Sequence, residues 1–501
     1  MLKVSPLFTD GAVLCRGKEI RIFGEAEDGI PVRVELRDDR GQLLAENEAE
    51  SVKGRFLALL PPQEAGSGLG LTIAQGDECF KALDICVGDV YLASGQSNME
   101  WELQNADEGR ELIKSHDNAL VRYFNVPRRA YVCGEAEEAF ENTSWQKVEP
   151  GKAGDMSAVA YFFAMKLWRE TGVPVGIVDC YWGGTSVTAW MNRETLESTA
   201  EGRRYLEREE ERSGGKTLQQ FLDEEAAWME ELHAWEKKVA EYKEVHPEAS
   251  GAVINREVGV CPWNPPAGPG SPYRPGGLYE TMVARTFPLA LKGILWYQGE
   301  SDAGITERYD VLLISLIDLW RREFRDPGLP FIQVQLPMWI DSNAPGDTYT
   351  WPALRQAQAR VRDMIRNSGM ICLLDQGEWD NLHPTAKRVV GERLCQLALN
   401  MIYGRAEEVS PRAAGKRAQG NKIILRFSSP VLVSDGKEPA LMETAGADGV
   451  FKPARARMEG SEMSLSSDEV PRPVYARYAW TDYAKVNLFG ENGLPLEPFV
   501  M

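Results

Sequence analysis

The sequence predicts a mixed α/β protein, with a parallel sheet covered by helices at its centre and all-β segments at both ends. Three observations carry this. From about residue 86 to 405, short apolar runs alternate with amphipathic helical stretches, the pattern of a parallel sheet with crossover helices. Before residue 85 and after 406, short runs alternate apolar and polar residues between turn clusters, the pattern of small sandwiches. At 501 residues with 43% hydrophobic and 26% charged side chains, the chain has material for two or three globular domains. The predicted division is 1–85, 86–405 and 406–501, with the terminal segments forming either two domains or one packed together.

In the first segment, Ile20–Gly24 and Val32–Leu36 read as half-buried strands, separated by turns such as Asp38-Asp39-Arg40-Gly41. No catalytic constellation lies there, so its role is architectural or substrate-positioning. Val90-Tyr91-Leu92-Ala93-Ser94 then reads as a buried strand that breaks at Gly95 and runs into Gln96-Ser97-Asn98-Met99-Glu100-Trp101. Chemistry in open α/β sheets sits at the carboxyl ends of strands, which makes Ser97 a candidate nucleophile. Taken alone, Gly-Gln-Ser-Asn is a turn, and Met99 stands where the usual nucleophile elbow has its last glycine.

Val121–Val126 is the next strand, and Ser157 caps a helix over Ala158–Glu170 that Gly172 ends. The strand Val175–Cys180 leads into Tyr181-Trp182-Gly183-Gly184-Thr185-Ser186, a loop able to point backbone N–H groups at an anion. Residues 194–250 are dense in Glu, Lys and Arg with interspersed Leu206, Phe221, Trp228, Leu232 and Trp235. They predict a helical insertion split near Gly214-Gly215, a lid or wall over the site. The Pro/Gly-rich, aromatic stretch 262–277 is a binding surface or a mobile connection. Strands follow at Gly293–Tyr297, Phe331–Gln335 and Ile371–Asp375, with a helix between at Tyr309–Phe324. A last helix runs from Thr385 to Tyr403. Beyond Gly404, Lys422–Phe427, Val431–Val433 and Val474–Trp480 return to β texture.

Composition narrows the function. A net charge of −19 disfavours nucleic acid and anionic membranes as partners. No segment is an uncharged apolar span, and Met1–Pro6 lacks a signal core, so a cytoplasmic location is expected. Eight scattered cysteines without a Cys-x-x-Cys pair, several in apolar runs (Cys180, Cys372, Cys395), read as buried reduced thiols. With four histidines besides, a structural zinc site is not expected. The oligomeric state is left open.

A serine needs a base. Of His116, His233, His246 and His383, only His383 follows a core strand at its carboxyl end. Asp380 precedes it by three residues and is the candidate to hold its ring; a backbone carbonyl or Asp375 is the alternative. The turns at Gly183/Gly184 and Gln298 offer oxyanion donors, by backbone N–H and side-chain amide respectively. Trp101, Trp182, Trp190, Trp296 and Trp379 fall beside these turns and are candidates to stack on a ring-bearing substrate, though core packing competes for at least half of them.

The ordered set Gly95-Gln96-Ser97-Asn98-Met99-Glu100-Trp101, Trp182-Gly183-Gly184-Thr185, Trp296-Tyr297-Gln298-Gly299-Glu300-Ser301 and Asp380-x-x-His383-Pro384 resembles the sialate O-acetylesterase family of SGNH-type hydrolases. Leu7–Leu14, Arg477–Trp480 and Gly493–Pro495 resemble that family's opening and closing segments. The resemblance implies an SGNH-hydrolase-like three-layer α/β/α domain and removal of O-acetyl groups from a sugar through an acetyl-serine, without a cofactor. It implies Ser97 as nucleophile, His383 as base, Asp380 as its orienter, and an oxyanion hole of Ser97, Gly184 (or Gly183) and Gln298. Trp101, Trp182, Trp190 and Glu300 are the substrate-binding candidates. Acetylated plant oligosaccharides are the alternative substrate. A glycoside hydrolase using two carboxylates, Glu300 with Asp380, and a non-catalytic carbohydrate-binding protein are the rival classes.

Overall fold

A single long strand joins the amino-terminal segment to the centre of the molecule. The computed structural model describes residues 1–306, 308–341 and 346–501. Strand β1 (Glu78–Gly95) first pairs antiparallel with Gly66–Gln75, which in turn pairs with Val32–Arg37. From Ile85 onward every residue of β1 is buried and the strand enters a parallel ladder. The change of texture at residue 85 is thus a change of environment along one continuous strand. The amino-terminal strands share a hydrophobic core with the α/β unit, through residues such as Phe8, Val13, Ile22 and Val34.

The ladder contains β2 (Asn118–Asn125), β3 (Gln146–Val148), β4 (Val175–Tyr181), β5 (Gly293–Tyr297), β6 (Phe331–Val334) and β7 (Ser368–Ile371). The order is β3-β2-β4-β1-β5-β6-β7 within an 11-stranded mixed sheet. All neighbours are parallel except β3, which is antiparallel to β2. Every residue of β4, β5 and β6 is buried, so both faces of the sheet are covered. The chain fills one side of β1 with β2, β3 and β4, then crosses it to continue with β5. The carboxyl end of β1 is therefore the switch point where open sheets leave a crevice.

The helices that bear on the site and its surroundings are α1 (Ser97–Glu100), α2 (Ala158–Thr171), α3 (Ala200–Ser213), α4 (Leu218–Val245), α5 (Gly251–Glu257), α6 (Tyr309–Glu323), α7 (Thr350–Met364) and α8 (Lys387–Met401). As the sequence predicts, Ser157 caps α2, its Oγ accepting from Ala160 N–H at 3.2 Å, and Gly172 ends it with φ +69°. Helix α8 packs on α2 so closely that a Cβ on Gly391 would lie 2.5 Å from Val159 O. The insertion splits where expected: Gly214 ends α3 at φ +57°, and Thr217 with Gln220 forms a capping box on α4.

The last core strand forms at Ser368–Ile371, slightly before the predicted run. Cys372 and Leu374 pack instead into a second core with Leu425, Met463, Tyr478 and Leu488 of the carboxyl-terminal sheets. An apolar run dictates burial but not the partner, which explains the shift. All eight cysteines are free; Cys15, Cys86, Cys180, Cys372 and Cys395 are buried, whereas Cys79 is exposed and Cys133 and Cys261 are half-buried, so burial does not extend to all of them. Among the described residues no helix is long and apolar enough to cross a membrane, and no group of three His, Cys, Asp or Glu side chains could hold a metal ion.

Candidate active site

Gly95 ends β1 between Tyr181 of β4 and Tyr297 of β5, each its register partner. Its φ is +137°, and a Cβ there would lie 2.1 Å from Tyr297 O, so a side chain has neither the conformation nor the space. Gln96 N–H donates to Tyr297 O at 3.0 Å, and Trp182 N–H donates to Gly95 O at 3.2 Å. These bonds fix the start of α1, whose first residue is Ser97.

His383 reaches this turn from the loop before α8. Its Nε2 lies 2.7 Å from Ser97 Oγ, across 286 residues of sequence. The imidazole stacks on Trp101 with ring centroids 5.7 Å apart and planes 23° apart. Its backbone N–H donates to Asn381 Oδ1 at 3.1 Å. Burial, and then the Lys387 cation, push the ring down to about 4, so it is neutral at pH 7.

Neither carboxylate considered for orienting His383 sits on its ring. Asp380 Oδ2 accepts from Ala252 N–H at 3.2 Å, in the first turn of α5, which satisfies an otherwise unpaired helix donor. Asp375 forms a two-pronged pair with Arg393, at 2.7 and 2.6 Å. Among the described residues nothing accepts from His383 Nδ1.

Gln298 is also placed differently from expectation. Its Nε2 donates to Asp302 Oδ2 at 2.6 Å, with Gln96 Oε1 at 3.1 Å and Thr185 O at 3.2 Å, and its Oε1 accepts from Tyr309 at 2.7 Å. Asp302 in turn accepts from Tyr205 at 2.6 Å and from Val187 N–H at 2.9 Å. The amide is therefore consumed in a buried knot that ties α3 to the loops after β4 and β5, and no N–H remains for an oxyanion. The sequence shows an amide at a strand end but not which way it points.

The glycine loop resolves differently. Gly183 lies against the serine, its ideal Cβ 3.3 Å from Ser97 Cβ, but its N–H donates to the Glu100 carboxylate, which also pairs with Arg128. Among the described residues the Gly184 N–H has no acceptor. Ser97 N–H, the first of its helix, has no intrahelical acceptor either.

Of the predicted substrate-binding residues, Trp101 is at the site, as the wall behind His383. Trp182 is partly buried against the core, and Trp190 is fully buried, its Nε1 donating to Thr185 Oγ1 at 3.1 Å. Trp190 is thus a core residue and not a sugar platform; Trp296, on which it packs edge to face, is buried too, whereas Trp379 is exposed. Glu300 lies behind Asn98: its Oε1 accepts from Asn98 Nδ2 at 2.7 Å, and its Oε2 is buried without a partner among the described residues. Burial raises its pKa.

Two residues at the site carry no expectation from sequence. Asn98 is buried, and its Nδ2 also donates to Leu382 O at 3.1 Å, next to His383. Lys387 is buried, donates to Asn98 Oδ1 at 2.5 Å, and lies 5.5 Å from the Trp101 ring centre and 5.9 Å from that of Tyr297. Burial pushes its ammonium down to about 7, against the pull of Glu300 and Glu378. Lys387, Asn98 and Glu300 form a buried chain that locks the His383 loop onto the Ser97 turn. Asn98 adjoins the serine in the motif, which was its only signal; Lys387 had none beyond its position in the first turn of the last helix.

The chain is similar to known proteins over most of its length. A family described as carbohydrate esterase, sialic acid-specific acetylesterase, matches residues 87–212 and 259–400. The chain is similar to sialate O-acetylesterase of Mus musculus, 27% identical over 419 residues, covering 76% of this chain and 70% of that one. It is also similar to sialate O-acetylesterase of Homo sapiens, 24% identical over 96% of this chain and 88% of that one. Among solved structures, a carbohydrate acetylesterase from Xanthomonas citri aligns with a TM-score of 0.76 at 28% identity, over 100% of this chain and 99% of that one. The matched segments span more than half the chain, including the Ser97 turn, the glycine loop and the His383 loop, and the protein belongs to the sialic acid-specific acetylesterase family of carbohydrate esterases, which are carboxylic ester hydrolases.

Proposed function

We propose that the protein is a serine esterase of SGNH-type, three-layer architecture that removes O-acetyl groups from sugars, with O-acetylated sialic acid as its substrate class. The observation that carries the reading is the 2.7 Å approach of His383 Nε2 to Ser97 Oγ at the switch point of the sheet. A neutral imidazole at that distance can take the hydroxyl proton.

In the first half-reaction Ser97 Oγ bonds to the acetyl carbonyl carbon and its proton passes to His383 Nε2. The carbonyl oxygen becomes an oxyanion facing the N–H groups of Ser97 and Gly184, each expected to be worth roughly 10²–10³ in turnover. The carbon–oxygen bond to the sugar then breaks, and His383 returns the proton to the sugar hydroxyl. In the second half a water gives its proton to His383 and attacks the acetyl-serine; acetate leaves and Ser97 recovers its proton. Trp101 stacking and the Asn98–Lys387 bond fix the position of a base that has no carboxylate on its ring among the described residues. Glu300 and Asp380 are each engaged by donors of the fold, so a two-carboxylate glycosidase draws no support from them.

The test is acetate release from p-nitrophenyl acetate, O-acetylated sialic acid and acetylated xylan fragments, by wild type and Ser97→Ala. Release from the sialic acid that vanishes in Ser97→Ala with an unchanged melting temperature is the expected result. Preference for the xylan fragments would move the substrate to plant oligosaccharides. Undiminished release by Ser97→Ala would refute the serine mechanism.

A further inference from the structure

The family match stops at residue 212 and resumes at 259, leaving α4 and α5 outside it. The role of this insertion follows from its apolar stripe. Phe221, Trp228, Leu232 and Trp235 recur at spacings of seven, four and three, which places them on one face of α4. That face grips the loop that follows. Trp228 Nε1 donates to Pro262 O and Trp235 Nε1 to Gly259 O, each at 2.8 Å. Phe221 lies so close under the loop that a Cβ on Gly268 or Gly270 would come within 2.8 and 2.6 Å of its ring.

What this grip presents is Trp263. The indole is 52% exposed although it stands edge to face with both Trp228 and Tyr273, at 5.8 and 5.7 Å. Its six-membered ring overhangs the oxyanion loop: a Cβ on Gly184, where φ is +75°, would lie 2.5 Å from Trp263 Cζ2. A Cβ on Gly183, the preceding residue, would lie 3.3 Å from Ser97 Cβ. With 3.8 Å between consecutive Cα atoms, these distances put the exposed indole no more than about 13 Å from the serine. A large, rigid aromatic ring held at that distance and left half in solvent is the kind of surface on which a sugar ring stacks.

We propose that Trp263, held by the α4–α5 insertion, is the stacking platform for the pyranose ring of the leaving sugar, and so a specificity determinant. The inference rests on the sugar-esterase reading above. It also explains Asp380: by capping α5, it ties the insertion to the loop that carries His383.

The experiment compares kcat/KM for O-acetylated sialic acid with kcat/KM for ethyl acetate, a ringless ester processed by the same Ser97. In Trp263→Ala the sugar-to-ethyl acetate ratio falls roughly tenfold, carried by KM for the sugar, while Trp263→Phe restores most of it. An unchanged ratio in Trp263→Ala overturns the platform. A wild type that cleaves ethyl acetate but no acetylated sugar instead overturns the substrate reading, and the platform with it. As a second readout, titrating sialic acid into Ser97→Ala quenches tryptophan fluorescence, and the quench is lost in Ser97→Ala/Trp263→Phe; a quench that survives Trp263→Phe also refutes the platform.

Discussion

Lys387 makes the sharpest test of how the base is tuned. Its ammonium and the His383 imidazole both lie within 6 Å of the Trp101 ring centre, so the two are at most about 11 Å apart. Lys387 itself titrates near 7 and is therefore charged where His383 titrates, near 4. A cation disfavours the imidazolium, so removing it raises the His383 pKa; burial, the larger cause, remains. Even at that outer separation of about 11 Å, an effective dielectric near 20 gives a repulsion of about 1.5 kcal/mol. That corresponds to a rise of about one pKa unit. Since the base must be neutral to act, kcat/KM for p-nitrophenyl acetate in wild type holds down to about pH 5 and falls near the His383 pKa. In Lys387→Met the acid limb moves up by about one unit. The height of the profile also falls, because Asn98 Oδ1 loses its donor. The position of the limb, not its height, carries the test. An acid limb that stays in place, or moves down, in a folded Lys387→Met enzyme would refute the electrostatic coupling.

Two further outcomes follow from where the structure puts the predicted residues. Gln298→Ala strips a donor from the buried Asp302 carboxylate and leaves the Tyr309 hydroxyl only the more distant backbone carbonyl of residue 298, so the melting temperature falls by an amount equivalent to about 2–4 kcal/mol; an oxyanion donor would instead lose roughly 10²–10³ in kcat with stability intact. Asp380→Asn keeps an acceptor for Ala252 N–H, so kcat stays within about threefold of wild type and stability within about 1 kcal/mol; a drop of 10³ or more in kcat would put Asp380 on the His383 ring during turnover.

The sequence by itself determined the elements and the order of the site. Period-two and continuous apolar runs are local properties, and they were enough to place β1, β4, β5, α2 and the split insertion, because a buried strand or a helix face must be apolar wherever it packs. Ser97, the glycine loop and His383 were legible for a related reason: each breaks an apolar run at the carboxyl end of a core strand, where a polar turn is otherwise unexplained. Only the tertiary structure decided what those turns do with their hydrogen bonds. A side-chain amide or carboxylate reads the same in sequence whether it faces a ligand or closes a buried knot, since both uses satisfy the same donors and acceptors. Gln298 and Asp380 therefore looked like site residues and were found holding the fold. Trp190 looked like a sugar platform and is core, because a tryptophan beside a site and a tryptophan beneath it are equally apolar. Lys387 was invisible for the opposite reason. A lysine in a helix is ordinarily solvated, and only the packing of α8 against the Ser97 turn removes it from water and gives its charge a reach to His383.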